Sequence, residues 1–334
     1  MKEQRPIDQH RSAGGSLVVG TPAEGEITSM AEIGGVLYVI KQRAIYALQA
    51  ADQIDPGRTN SHLPRFVLQF IRSAGSDSEI VGRTLLTAVN LFQKGKFLPM
   101  WFAHERALTL TLEALENMLA MRVAADEFQV AQQTAYAATR SSARDRGSLQ
   151  IPRVGDIKTR LRTFAQRADH AADALFSIVK LFYPDLVKGR WTKLADLVQN
   201  RYGADDTFTK FLGEAVPFLL LVRNTRDCLE HNRKNASIED FVLQPNGQIV
   251  APTIAINFRQ TQLSSIAISS FVENLSHSLM MAFEIMIAHL CDKHAESTAD
   301  FPVAVGELKK DRRREKFTRF SYGTYIGEDF IPIG

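Results

Sequence analysis

The stretch 219–232 most restricts the folds open to this chain, because in it an apolar run passes directly into a dense polar cluster. Apolar residues recur at roughly helical spacing up to this cluster, and the stretch Asp205-Asp206-Thr207 stands before them as a candidate N-cap. The pattern predicts one helix over about 206–232, in which Pro217 is the candidate kink. A helix that is apolar for three turns must be buried along most of its length.

The polar end of this helix differs from an ordinary solvated end. Solvated helix ends commonly carry Lys and Glu, whereas this one carries Arg, Asn, Asp and His. Asn224, Asp227 and His231 are spaced at i, i+3 and i+7, and Arg223 stands four residues before Asp227. Helical spacing predicts that these residues share one face. Such a face at the end of a buried helix is typical of a functional site.

The segment 226–231, Arg-Asp-Cys-Leu-Glu-His, resembles the R-x4-6-H motif of the HEPN superfamily, in which Asn, Asp or His usually follows the Arg. Arg223 and Asn224 form the same favoured pair, but their spacing to His231 is one residue too long. The resemblance covers only the second domain, about 155–295, a little under half of the chain. It implies an α-helical bundle, often dimeric, in which two motifs meet at the dimer interface of a metal-independent endoribonuclease. Other members of the superfamily have lost catalysis and only bind or assemble.

The residue types fit that chemistry. Metal-independent RNA cleavage needs a base for the 2′-OH proton, an acid for the leaving 5′-oxygen and a cation for the charged phosphorane. His231 suits proton transfer near neutral pH, and Arg226 suits two-pronged contact with phosphate. Asp227 is expected to orient His231, and Asn224 to bond phosphate or backbone. One motif supplies one His and one Arg, so pairing two copies across a two-fold axis doubles both.

A structural interpretation of the same residues remains open. Arg226 and Glu230, and likewise Arg223 and Asp227, are spaced at i, i+4, which allows ion pairs along the helix. In this interpretation the pairs hold a helix end together. In the catalytic interpretation, Arg226, His231 and Asp227 carry the reaction, and the supporting residues are Arg223, Asn224 and Glu230.

The bulk composition limits the class of protein. A chain of 334 residues with 45% apolar and 23% charged residues is typical of a globular protein with room for two cores. The net charge is only +3, so an anionic partner must bind local basic patches. Cys228 and Cys291 form no disulfide framework and no zinc pattern, so we expect a reducing, cytoplasmic compartment and neither metal nor cofactor. No segment is apolar enough for a membrane span, and the N-terminus lacks the apolar region of a signal peptide.

Composition and turn signals divide the chain into consecutive segments. We expect a mainly α protein, in which a HEPN-like helical bundle with a β-hairpin insertion follows a smaller α/β region. The segments are a loose N-terminal lead over 1–29, an α/β region over 30–137, a basic linker over 138–155, the helical domain over 156–295 and a basic, aromatic tail over 296–334.

Local patterns predict several elements within these segments. Two β-rich runs over 36–48 predict a hairpin, and Asn246-Gly247 between β-rich runs predicts another. Ser76 and Glu79 predict a capping box at the start of a helix. Periodic apolar stretches predict further helices over 100–137, 156–182, 191–202 and 261–294. The last of these is apolar on much of its surface and must be buried, in a bundle or at a subunit interface.

Two basic patches are candidates for contact with RNA. One lies in and after the linker, and the other lies in the tail, where aromatic residues follow it. The candidate contacts are Arg144, Arg146, Lys309, Lys310, Arg312, Arg313 and Arg314. Basic charge with aromatics is typical of proteins that bind single-stranded nucleic acid, and phosphate contacts read no sequence. The alternatives are a solvated linker for the first patch and, for the second, a β-hairpin docked by its aromatics with its charges outside.

These features lead to one main hypothesis, an endoribonuclease of the toxin or anti-phage defence kind that cleaves RNA by 2′-OH attack at a dimer interface. Its expected partners are RNA, a second copy of the chain and a regulatory or antitoxin protein, with no membrane. The first alternative is a non-catalytic nucleic-acid-binding or assembly subunit. The second is a small-molecule or nucleotide sensor that uses the N-terminal region.

Overall fold

The computed structural model describes residues 5–13, 16–93, 97–142, 149–186, 191–231, 235–297 and 301–333. The chain divides into two compact units. We call Met1–Thr109 with His294–Gly334 the terminal unit, and Leu110–Lys293 the central unit. The fold is mixed α/β, with about 51% of the chain in helices, which agrees with the mainly α expectation. Across the described ranges, no helix combines the length and the apolar character that crossing a membrane requires.

The helices and strands are numbered in chain order. Helices α1 to α9 lie at Pro6–Ser12, Ala51–Ile54, Glu79–Val81, Thr87–Leu91, His104–Ser142, Ile157–Phe182, Trp191–Tyr202, Thr207–Glu230 and Ile268–His294. A π-helical segment, Gly82–Leu86, joins α3 to α4. Strands β1 to β12 lie at Ile27–Ile33, Val36–Lys41, Ile45–Ala50, Phe66–Arg72, Ala236–Glu239, Val242–Leu243, Ile249–Val250, Thr253–Phe258, Thr261–Ala267, Ala304–Glu307, Phe320–Ile326 and Asp329–Pro332.

An antiparallel sheet of order β1-β2-β3-β4 forms the first part of the terminal unit. The hairpin predicted over 36–48 is confirmed, because β2 and β3 pair directly. Gly34 and Gly35 connect β1 to β2 with φ values of 61° and 76°. Positive φ at both central residues is the requirement of a type I′ turn, which glycine meets without strain. The sequence patterns did not predict β1 or β4. Strand β1 begins within 1–29, the segment expected to be a loose lead.

The expected loose lead over 1–29 is wrong for the residues that the structure describes there. Helix α1 occupies part of it, and the Arg11 side chain is buried. Arg11 Nη1 donates to Asp52 Oδ1 at 3.0 Å, and Nη2 donates to the Asn60 carbonyl at 3.1 Å. Glycine and serine suggested disorder, but these contacts with residues about 40 positions away fix the segment in place.

The segment 296–334 belongs to the terminal unit and does not form a separate tail. Strands β10, β11 and β12 make an antiparallel sheet, in which β11 and β12 form a hairpin. Tyr322 is buried, and its hydroxyl donates to the Leu91 carbonyl at 2.8 Å. Asn90 Nδ2 donates to the Phe320 carbonyl at 2.9 Å. These contacts match the alternative of a hairpin docked by its aromatics.

The predicted capping box at Ser76 and Glu79 is wrong. Helix α3 begins at Glu79 with Ser78 as its N-cap, and no side chain caps it. The Glu79 carboxylate instead accepts from Arg83 Nη1 at 3.0 Å, one helical turn later. Ser76 is buried and its backbone N–H donates to the Lys41 carbonyl, so contact with β2 takes it away from the helix start.

The central unit begins within α5 and holds α6 to α9 with β5 to β9. Helix α8 packs against α6 and α7, and a sheet of order β5-β8-β9 also contacts it. Strands β6 and β7 form the hairpin predicted at Asn246-Gly247, where Gly247 has a φ of 83°. The predicted helices over 156–182 and 191–202 are confirmed as α6 and α7.

Helix α9 begins at Ile268, seven residues later than expected, because Thr261–Ala267 forms β9 and pairs with β8. All of α9 is described, and none of its large apolar side chains is exposed. Its His289 ring stacks on Phe208 of α8 at a centroid distance of 5.1 Å. The apolar surface of this helix is therefore covered within the single chain.

The unit boundaries differ from the segments expected from composition. Most of α5, assigned to the α/β region, lies in the central unit, and the chain leaves that unit at Lys293. Within the expected linker 138–155, α5 continues to Ser142. Arg144 and Arg146 lie outside the described residues.

Candidate functional site

Helix α8 forms where the sequence predicts it. Asp206 is the N-cap, and its Oδ1 accepts from the Phe208 N–H at 2.9 Å. Pro217 lies inside the helix, and His231 is the C-cap, with its backbone N–H on the Asp227 carbonyl. The apolar face buries residues that include Phe208, Leu212, Leu219, Val222 and Leu229. Burial of this face fixes the direction in which the polar end of α8 points.

Three carboxylates surround Arg226 at this end. Arg226 Nε lies 2.7 Å from Glu230 Oε2, Nη1 lies 3.3 Å from Asp227 Oδ1, and Nε lies 3.8 Å from Asp169 Oδ2 of α6. Gln166 Nε2 donates to the other oxygen of Glu230 at 2.7 Å. This donation, together with the Arg226 charge, lowers the pKa of Glu230. The Arg226 side chain is 32% exposed, so it meets solvent while its carboxylate neighbours orient it.

Asn224 plays a structural part, which differs from the expected contact with phosphate or backbone. It is 2% exposed, and its Nδ2 donates to Thr261 Oγ1 at 2.8 Å. Its Oδ1 accepts from Arg259 Nη1 at 3.2 Å. These bonds join α8 to β9 and to the turn before it. Asn224 therefore lies under the sheet and does not share an open face with His231.

His231 is exposed at the C-terminal end of α8. Within the described residues, its imidazole makes no hydrogen bond or ion pair. Asp227, expected to orient it, instead contacts Arg226 and, at 3.3 Å, Arg259 Nη1. Arg223 is exposed, and in the described residues it forms no ion pair with Asp227. The i, i+4 pair that forms is Arg226 with Glu230.

Sequence reasoning missed the residues that α6 and β8 contribute. Gln166, Asp169 and Asp173 are spaced at i, i+3 and i+7 on α6, so they share one face. Arg259 follows β8 with a positive φ of 55°. The polar stripe that Gln166, Asp169 and Asp173 form on the otherwise alanine-rich α6 could have indicated that this face of the helix belongs to a site. Nothing in the local sequence indicates Arg259.

Burial, with a smaller contribution from the nearby Asp173, raises the pKa of the Asp169 carboxyl to about 6, against the opposing charges of Arg226 and Arg223. The folded protein thus favours the neutral carboxyl more than the unfolded chain does. The stability that the protonated Asp169 carboxyl contributes is fully present below about pH 4. The unfolding free energy falls as the pH rises from about 4 to about 6, because the carboxyl then loses its proton.

Replacing Asp169 by Asn should flatten this pH dependence. Asn keeps the shape of the side chain and stays neutral, so above pH 6 the variant should unfold with a free energy about 1–3 kcal/mol higher than the wild type. Below pH 4 the two proteins should be equally stable. Urea unfolding between pH 3.5 and 8 measures this, with the exposed Asp196→Asn on α7 as the matched control. A lower stability of Asp169→Asn at pH 7 would show that its ion pair with Arg226 outweighs burial.

The basic residues predicted in the last segment fall into two groups. Lys309 Nζ pairs with Asp329 Oδ1 at 3.2 Å, and Arg313 Nη2 pairs with Glu307 Oε1 at the same distance. Arg312 and Arg314 are exposed and form no ion pair within the described residues. Both line a cavity of the terminal unit, and Lys310 is exposed outside it.

Neither a metal-binding group of side chains among the described residues nor a similar known protein identifies the site. In the described ranges, no three His, Cys, Asp or Glu side chains are grouped so as to hold a metal ion. The chain matches no known protein family, no curated protein and no solved structure. The geometry at the end of α8 and the motif resemblance are therefore the features that point to a function.

Proposed function

We propose that this protein is a metal-independent endoribonuclease whose reaction centre is the C-terminal end of α8. The observation that carries the proposal is that Arg226 and His231 both reach solvent at this end, while Glu230, Asp227 and Asp169 hold the guanidinium in place. An arginine fixed by neighbouring groups is preorganised for a phosphate that carries extra charge in the transition state. An exposed imidazole is free to exchange protons with substrate.

The proposed reaction is attack of the 2′-OH on the adjacent phosphorus. One His231 accepts the 2′-OH proton, and the 5′-oxygen leaves with a proton from a second imidazole. Arg226 contacts the phosphate oxygens and stabilises the phosphorane. The products are a 2′,3′-cyclic phosphate and a 5′-OH end. Incubation of the purified protein with RNA in EDTA, beside His231→Ala, tests the proposal.

A second copy of the chain supplies the second imidazole in this scheme. We therefore propose a two-fold symmetric dimer in which the two Arg226–His231 segments face each other. The reaction needs both a base and an acid, and one chain supplies a single His231. The apolar surface of α9 is covered within one chain, so the dimer is proposed from the chemistry and not from α9. Light scattering should show a dimer at micromolar concentration. A monomer that cleaves RNA at the full rate would contradict this arrangement.

A non-catalytic function is the second candidate, and one observation favours it. Arg226 already contacts three carboxylates, so an incoming phosphate must compete with them for the guanidinium. In this case the end of α8 is an ion-paired surface that binds or assembles. The two candidates differ in whether His231→Ala removes an activity.

The biological role is proposed on the motif resemblance alone. A HEPN-like ribonuclease of this kind would act as a toxin or in anti-phage defence in the cytoplasm, and a regulatory or antitoxin protein would restrain it. RNA remains the proposed substrate, with phosphate contacts from basic residues that do not depend on sequence.

A further inference from the structure

A cavity of about 920 Å³ lies entirely within the terminal unit. One wall consists of the consecutive residues 28–32 of β1. Side chains from the α4 region, from the start of α5 and from the segment 308–321 form the rest, and they include Leu86, Val89 and Leu108. The cavity falls within the size range of ligand sites in proteins, about 300–1,000 Å³.

Strand β1 is an edge of its sheet, and in the part of the chain that the structure describes no strand pairs with its outer side. The turn at Gly34-Gly35 makes Ile33 and Val36 a hydrogen-bonded pair, so bonding to β2 alternates along β1. The N–H and C=O groups of Met30 and Glu32 therefore point away from β2. Within the described residues they form no hydrogen bond. Unpaired peptide groups along an edge are a template for a further strand.

The opposite wall is charged and carries an unsatisfied polar group. Arg312 and Arg314 line the cavity and have no ion pair in the described residues, whereas the nearby Lys309, Arg313 and Arg319 are all paired with carboxylates. Thr318 also lines the cavity, is only 9% exposed, and its buried Oγ1 has no partner among the described residues. A buried hydroxyl without a partner lacks a hydrogen bond that a ligand can supply.

The charges of the lining distinguish between ligand classes. Glu32, Glu105 and Glu315 line the same cavity as Arg312 and Arg314, and the charge of Arg314 already acts on the Glu315 carboxyl. Three carboxylates beside two guanidinium groups repel a ligand whose negative charges lie close together, such as RNA or a nucleoside triphosphate. A peptide meets all of these features, because its backbone pairs with β1 and separate acidic side chains reach Arg312 and Arg314.

We propose that this cavity binds an extended acidic segment of a partner protein, which adds a strand to the free edge of β1. Peptide groups of the segment pair with Met30 and Glu32, and alternate side chains point into the cavity and away from it. Acidic side chains of the segment contact Arg312 and Arg314, and apolar ones pack on Leu86 and Val89. The proposal does not rest on ribonuclease activity.

The probe is a fluorescein-labelled nonapeptide, Thr-Val-Thr-Glu-Thr-Val-Thr-Glu-Thr, in which the valine and glutamate side chains share one face of a strand. Its binding is followed by fluorescence anisotropy. The wild-type protein should bind it saturably, with a Kd below about 1 mM. Arg312→Ala with Arg314→Ala should weaken binding by about 3- to 30-fold, the effect of losing two exposed ion pairs. Lys309→Ala with Lys310→Ala removes the same charge from the same segment outside the cavity, and binding should change by less than about twofold.

A second peptide tests the strand pairing without changing the protein. It has the same sequence, but alternate backbone nitrogens on one edge are methylated, so that edge cannot donate hydrogen bonds to β1. We test both possible edges, and methylation of one of them should abolish binding. Equal binding of both methylated peptides to the unmodified one, or no binding at about 1 mM, would overturn the proposal.

Competition identifies other occupants. Neither oligouridine nor ATP should displace the peptide, and full displacement by either would assign the two arginines to phosphate. The same peptide with both glutamates replaced by lysine should not bind. If the acidic peptide dissociates a dimer of the protein, the cavity binds a second copy of this chain, and the proposal of a different partner protein is wrong.

Discussion

Replacing His231 by alanine is expected to lower RNA cleavage by about 10²–10⁴-fold, the usual contribution of one general acid or base. The imidazole is exposed at the C-cap of α8, and in the described residues it bonds to no other side chain. Its removal should therefore leave the unfolding free energy within about 0.5 kcal/mol of the wild type. RNA binding should survive. The measurement is single-turnover cleavage of a labelled RNA in EDTA, with thermal unfolding alongside.

His277→Ala is the matched control, because His277 is an exposed histidine on a different helix, α9. It should cleave RNA at the wild-type rate. EDTA should have no effect on either protein, and the products should end in a 2′,3′-cyclic phosphate. A wild type that leaves RNA intact under all conditions would make the end of α8 a binding or assembly surface.

Replacing Arg226 by alanine is expected to lower cleavage by about 10²–10³-fold and to weaken RNA binding as well. Arg226 would hold phosphate in both the ground state and the transition state, so the dissociation constant for RNA and the cleavage rate constant should both change. Arg226→Lys should recover affinity more than rate, because an ammonium group cannot reproduce the two-pronged contact. Equilibrium binding and single-turnover rates on the same RNA separate the two effects.

The ion pairs around Arg226 add a second consequence. Arg226→Ala leaves Glu230 and Asp227 without this cation, so the unfolding free energy at pH 7 should fall by about 1–2 kcal/mol. Arg122→Ala is the matched control, since Arg122 forms an i, i+4 pair with Asp126 in which both side chains are about half exposed. It should be neutral within about 0.5 kcal/mol. Full cleavage by Arg226→Ala would restrict Arg226 to a structural role.

Elements that depend on neighbouring residues were predictable. The helices over 156–182 and 191–202 follow from apolar periodicity, and the hairpin at Asn246-Gly247 follows from turn chemistry. For the stretch 261–267 the sequence predicts a helix, because its apolar pattern runs on without a break into the pattern of α9. Pairing with β8 makes it a strand, and that pairing joins residues whose relation the local pattern does not contain.

The candidate site divides in the same way. The pair of Arg226 with Glu230 follows from helical spacing, and so does the placement of both at the end of α8. Asp169 and Arg259 reach the site from α6 and from the turn after β8, so only the packing of these elements on α8 brings them there.

The sequence by itself determined the polar end of α8, its arginine and histidine, and the helical character of the central unit, because these depend on spacing along one chain segment. Tertiary structure alone decided that Asn224 is buried against Thr261 and that burial raises the pKa of Asp169. It also decided that His294–Gly334 joins Met1–Thr109 in one unit. Each of these depends on which residues meet across long separations in sequence. Such contacts follow from the burial of whole helix and sheet faces, which no local pattern specifies.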